Sequence, residues 1–193
     1  MIRSVRLLPV TMLVFALILV RPGGAQDIPS GVNYKKATPE VNAQAQAALQ
    51  HALANPTDAK TFLGGTISCG PTLWNDLKDS QEQLSKDSTP VTAMLSLPEP
   101  LKAEGRGFRT QEQREAFWNS VLAKYPALKT GTVRPARAAE IQYYWTTIPF
   151  DIEEPFFAIE TTDAVFIANL QNENGIVTLF WLDRVDDLHK LKK

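Results

Sequence analysis

The sequence predicts an α+β domain, with helices first and an antiparallel sheet last. Three observations carry that expectation. Apolar residues recur at helical spacing in three stretches between residues 38 and 125. Beyond Gly131, runs rich in branched and aromatic residues follow one another, separated by turn residues. The two kinds of signal are segregated along the chain, which is the pattern of α+β rather than of alternating α/β domains.

The chain opens with an export pattern. Arg3 and Arg6 give a positive start, Leu7 to Val20 is almost wholly apolar, and Arg21-Pro22-Gly23-Gly24-Ala25 closes the run with helix-breaking and small residues. That is the three-part pattern of a secretory signal, with Gly23 and Ala25 placed for a cut before Gln26. The apolar run is shorter than the roughly 20 residues of a spanning helix. No cysteine sits near the cut to carry a lipid anchor. Residues 1–25 are therefore read as a signal peptide, 26–37 as a flexible leader and 38–193 as a single domain, secreted or periplasmic.

Within the domain, Thr38 is placed to cap a helix, Pro39 suits its first position and Glu40 its positive end. Val41, Ala45, Ala48, Leu49, Ala52 and Leu53 give that helix its apolar face, and Asn55-Pro56 stops it. Thr57 to Leu63 reads as one further short helix, and Gly64 to Pro71 as a glycine-rich loop holding Cys69. A second amphipathic helix turns Leu73, Trp74, Leu77 and Leu84 inward and Asp76, Lys78, Asp79, Glu82 and Lys86 outward. Alternation between Pro90 and Pro98 predicts a strand, and Pro98 to Gly107 a loop. Thr110 and Gln113 form a capping box before a helix that buries Phe117, Trp118, Val121 and Leu122.

Four strands complete the expected meander. Ile141, Tyr143 and Trp145 share one face of the first, Phe156 to Thr161 is the second and Ala164 to Gln171 the third. Asn172-Glu173-Asn174-Gly175 supplies a hairpin turn, since Asn-Gly accepts positive φ, and Ile176 to Leu182 is the fourth. A short helix carrying Val185, Leu188 and Leu191 ends the chain. This order of elements resembles the cone-shaped NTF2-like and cystatin-like domains, where helices pack into a curved sheet around a pocket. The resemblance covers element order over the mature chain and rests on no residue motif, so it transfers no site residue and no function.

Composition narrows the function classes. The chain has 20 basic and 21 acidic residues; without the three arginines of the signal the domain carries a net charge of −4. No concentrated basic face marks a nucleic-acid partner, and no lysine-rich amphipathic helix marks a membrane surface once the signal is removed. The single cysteine cannot form an internal disulfide, so an apolar core must hold the fold.

Candidate chemistry is sparse. Cys69-Gly70-Pro71 resembles the thioredoxin family's redox motif, but Thr72 replaces the second cysteine and Ser68 the preceding tryptophan. Thr66-Ile67-Ser68-Cys69-Gly70 lacks the first glycine of a nucleophile elbow. His51 and His189 are far apart and no second cysteine exists, so neither a metal site nor a cofactor is expected. Extending Asn172 to Gly175 into a calcium loop puts Leu170 and Trp181 where acids are required. What stands out is aromatic density. Tyr143, Tyr144, Trp145, Phe150, Phe156 and Phe157 fall in one stretch, and Phe166, Phe180 and Trp181 follow.

The expected function is non-catalytic binding of a small molecule or a protein. Tyr143, Trp145 and Trp181 are the candidate ligand-lining rings, with Asp151 and Glu153 as polar groups between helices and sheet. The rival is a small exported enzyme using a carboxylate of the Asp151 loop, or Cys69. The export pattern predicts a mature chain beginning at Gln26. Intact mass of the exported protein checks this, and a mature form that keeps residues 1–20 would exclude cleavage.

Overall fold

A computed structural model describes residues 34–86, 89–92, 104–141 and 152–185. Helix α1 (Pro39–Ala54) begins where the local chemistry places it: the Thr38 hydroxyl accepts from the Val41 N–H and Pro39 opens the helix. Helix α4 (Gln111–Lys124) is closed at its start by the full Thr110/Gln113 capping box. Between them, the single expected amphipathic helix is two: α2 (Pro71–Asp76) and α3 (Lys78–Ser85). The break is at buried Leu77, whose N–H reaches both Leu73 O and Trp74 O, while the Gln81 side chain caps Trp74 O at 2.7 Å.

Nine strands are described: β1 (Tyr34–Lys35), β2 (Ile67–Cys69), β3 (Thr89–Thr92), β4 (Glu104–Phe108), β5 (Thr132–Pro135), β6 (Ile152–Glu153), β7 (Phe156–Glu160), β8 (Val165–Glu173) and β9 (Ile176–Val185). Seven form one sheet in the order β3-β4-β2-β9-β8-β7-β5; β1 and β6 form a separate parallel pair. The protein is thus α+β, but the expected four-stranded antiparallel meander is corrected. β7, β8 and β9 are consecutive antiparallel neighbours, yet β2 joins β9 in parallel and brings β4 and β3 with it, so the sheet is mixed.

Several local expectations change with it. The glycine-rich loop around Cys69 contains β2, and the loop before Gly107 contains most of β4; both strands are too short and too rich in polar or glycine residues to show a period. Ile141 lies in a helical turn over 138–141 instead of a strand. Val185 ends β9 instead of starting a helix. Tyr34 and Lys35 of the expected leader pair with Ile152 and Glu153. The signal segment, Tyr143, Trp145, Asp151, His189 and the expected C-terminal helix lie outside the described residues.

The main core lies between the helices and one face of the sheet. Leu49 and Leu53 of α1, Leu73 of α2, and Phe117, Trp118 and Val121 of α4 meet Phe166, Leu170, Leu179 and Leu182. Phe108 and Phe117 stack at 4.6 Å, and Tyr125 meets Phe166 edge-on at 4.9 Å. Such pairs add specific ring geometry to area burial. The opposite face of β7–β9 is also buried at Phe156, Ala158, Ile167 and Trp181. This second buried layer explains why β7 and β8 read as near-continuous apolar runs.

Gly70, at the junction of β2 and α2, marks the tightest described approach between elements. It is the residue preceding α2, in extended backbone that any residue adopts (φ −70°, ψ 163°), but a Cβ there would lie 2.2 Å from the Asp183 carboxylate. Gly70→Ala is therefore expected to lower stability by about 1–3 kcal/mol through overpacking alone. Urea denaturation checks it, and an unchanged midpoint would show that the junction has slack.

Candidate functional site

The β8–β9 hairpin builds the candidate site. Its turn has Asn174 at φ 53° and Gly175 at φ 82°, the positive pair that a tight hairpin needs. Asn172 Oδ1 accepts from the Gly175 N–H at 3.1 Å, and Gln44 Nε2 of α1 donates to Gly175 O at 2.7 Å, which ties the tip to the first helix. Toward the turn, Val177 and Leu179 face the core while Ile176, Thr178 and Phe180 face the other way.

A β-bulge decides what that outer face carries. Asn169 pairs with Trp181, but Leu170 pairs with Leu179, so Phe180 is the extra residue of β9. Phe180 and Trp181 consequently share the outer side, with different fates. Trp181 is fully buried in the second layer, and Phe180 stays partly open. Ile176, 53% exposed, is the large hydrophobic left uncovered among the described residues.

Phe180 lies between two clefts. The first, about 470 Å³, opens between the hairpin and the segment from Lys35 to Thr38. The second, about 510 Å³, opens between the hairpin and the turn Gly64-Gly65-Thr66. Gln171, Glu173 and Phe180 line both, so the two form one groove across the hairpin. Both volumes lie within the span of about 300–1,000 Å³ usual for ligand sites.

The wall of the first cleft is fixed by hydrogen bonds. Glu154 accepts from the Ala37 N–H at 2.8 Å, and Lys35 pairs with Glu153 at 2.5 Å in the open. Asn169, almost fully buried, donates to Glu153 O at 2.9 Å and Pro155 O at 3.1 Å. The second cleft is closed at its side by backbone: Leu179 N–H bonds Phe62 O at 2.8 Å, and a Cβ on Gly65 would come within 3.1 Å of Thr178 Oγ1.

Of the residues named from sequence, Glu153 lies on the groove, and Trp181, next to Phe180 in β9, is buried. Tyr143, Trp145 and Asp151 fall outside the described residues. Sequence reasoning passed over Phe180 and Gln171 as site residues. Their signal was present in the alternation of the hairpin strands, but the bulge that exposes Phe180 depends on pairing with β8.

Away from the groove, two clusters of charged side chains pair within themselves. Asp76 takes two hydrogen bonds from Arg184, at 2.5 and 3.1 Å, and one from the Tyr125 hydroxyl at 2.6 Å. Burial alone would raise the Asp76 pKa, but those bonds and the Arg184 charge hold it below the ordinary value. The Tyr125 hydroxyl is pushed up to about 12, by burial first and by Asp76 next. On the other side of the sheet, Arg134 bridges buried Glu140, at 2.6 and 2.8 Å, and Glu160, at 2.8 Å. Among the described residues no three His, Cys, Asp or Glu side chains gather closely enough to hold a metal ion. His51 is an exposed helix residue, with Asn55 Nδ2 at 3.3 Å from its Nδ1.

Comparison with known proteins finds no matching family model, no significant match among curated proteins and none among solved structures.

Cys69 sits in β2 facing the main core, 2% exposed, its Sγ 3.4 Å from Gly70 O. Burial pushes its pKa well up, and the Asp183 and Asp76 carboxylates push the same way. The thiolate is the reactive form, so native Cys69 is expected to label far more slowly at neutral pH than the denatured chain. Equal rates would place the thiol at the surface, and a dimer lost on reduction would show it paired between chains.

Proposed function

We propose that this chain is an exported, non-catalytic binding protein whose ligand lies in the groove across the β8–β9 hairpin. The observation that carries the reading is the sharing of one open ring, Phe180, by two ligand-sized clefts. An aromatic ring brings large contact area with only two side-chain torsions to fix, so it is an efficient anchor. Around it stand amides, hydroxyls, a few aliphatic groups and charges of both signs, a mixture that suits orientation and specificity. Export is supported by the residue pattern of positions 1–25.

The rival enzymatic reading has less to stand on. Cys69 is turned into the core and its thiolate is disfavoured. Of the groove's carboxylates, Glu153 and Glu154 already hold Lys35 and the Ala37 N–H, and Glu173 stands exposed at the turn. As part of the same proposal, the packing of α1, α2 and α4 on one sheet face is what a cone-shaped NTF2-like or cystatin-like arrangement would require. The groove proposed here takes its ring from the outer side of β9, and its first cleft reaches round to Thr38 and to Val41 of α1.

Small polar fragments can stand in for the ligand in a test of the groove. Amide shifts of the ¹⁵N-labelled mature protein are followed against a library of such fragments. Perturbations are expected to concentrate at Gln171, Glu173, Thr178 and Phe180, and to fade in Phe180→Ala. Shifts gathered elsewhere, or unaltered by Phe180→Ala, would reject the groove.

A further inference from the structure

The lining of the groove distinguishes among ligand chemistries. On its second side, Glu173 is the one charged residue among those described, and it stands at the boundary with the first cleft. The rest of the polar lining is Thr61, Thr66, Thr178, Gln171 and Asn174. Each of these side chains can both donate and accept a hydrogen bond. None of them makes a side-chain hydrogen bond among the described residues, and all but the half-buried Thr178 are exposed. Phe180 offers a ring between the two clefts, and Ile176 an apolar edge at the turn.

A charged ligand finds little here to neutralise it. In the first cleft the opposite charges of Lys35 and Glu153 already meet and Glu154 is held by backbone, which leaves Lys36 and Glu173, one charge of each sign. An extended peptide fares poorly for a different reason. Such peptides gain affinity mainly by pairing their main chain with a free strand edge. Along the groove β8 and β9 pair with each other, and beyond the reach of β7 and β2 their outward amides are met at Leu170 N–H by Pro155 O, 3.0 Å, and at Leu179 N–H by Phe62 O, 2.8 Å. The edge strands of the large sheet, β3 and β5, do not line it. The short β1 at its wall has Lys35 O already taken by the Glu154 N–H and Ala37 N–H by the Glu154 carboxylate.

A ligand that suits this surface carries many groups that donate and accept at once, has no charge, and presents an apolar face to a ring. We infer that the groove takes a neutral oligosaccharide, with one sugar's C–H face on Phe180 and neighbouring hydroxyls on Gln171, Thr178 and Thr66. This inference rests on the groove being the binding site, as proposed above. The two clefts, of about 470 and 510 Å³ on either side of Phe180, give it more than one sugar position along the groove.

Calorimetric titration of the mature protein with cellohexaose, chitohexaose and maltohexaose, each at millimolar concentration, tests the inference beside a pool of uncharged hexapeptides. At least one hexasaccharide is expected to bind. Phe180→Ala should weaken it about tenfold or more, and Thr178→Val, which keeps shape and removes the hydroxyl, about two- to tenfold. Both variants are compared at equal fraction folded, checked by thermal melting. Hexapeptide binding that depends on Phe180, with no hexasaccharide bound, would overturn the sugar inference and leave the groove standing. Saccharide binding untouched by either substitution, or no saccharide bound at all, would overturn it too. Fragment shifts that also ignore Phe180 would then remove the groove itself.

Discussion

A buried carboxylate joins the middle of the sheet to helix α2. Asp183, fully buried in β9, accepts from the Leu73 N–H at the start of α2 at 2.7 Å and from the Arg184 N–H at 2.8 Å. A carboxylate without partners in such a place would cost several kcal/mol. Here its lone pairs meet backbone donors, and the positive end of α2 favours its charge. The next residue, Arg184, leaves on the other side of the strand and grips Asp76, the last residue of α2. Two successive residues of one strand therefore hold both ends of a six-residue helix.

Much of the molecule's arrangement follows from that junction. The carboxylate needs Gly70, because any side chain there would occupy its place. Gly70 in turn lets β2 run beside β9 and pass straight into α2, with Gly70 N–H bonded to Leu182 O at 2.9 Å. The parallel β2–β9 pair then sets where β4 and β3 attach. Cys69 is caught between the strand and the core, beside two acids, and burial and those charges disfavour its thiolate. Far from this junction, the Arg134 bridge between Glu140 and Glu160 fastens the edge strand β5 to β7. Arg134 is held charged, first by its bonds to Glu140.

The groove is a consequence of the same strand. At Trp181 and Leu182 β9 is paired on both sides, and from Trp181 onward its outer side chains are buried; toward the turn it passes beyond β2. The bulge at Phe180 falls where these two regimes meet. It keeps Trp181 in the buried layer and leaves the neighbouring ring open, so one irregular residue separates core from groove. Placement of a binding surface next to a bulge is a recurrent use of that feature.

Local chemistry alone determined a good part of this protein. Thr38 with Pro39, and Thr110 with Gln113, start α1 and α4 because each cap needs only a side chain and backbone three residues on. Asn174-Gly175 makes its turn, and β7 and β8 follow from runs of branched and aromatic residues. Tertiary structure decided the rest. Short β2 and glycine-bearing β4 carry no periodic signal and exist as strands because β9 and each other supply their hydrogen bonds. Leu77 breaks a helix that periodicity would continue, and Asp76, expected in solvent, turns to Arg184 and Tyr125. The openness of Phe180 beside the burial of Trp181 depends on which β8 residue each one faces. A strand's own residues fix its alternation but not its register, since register is set by bonds to a partner distant in the chain.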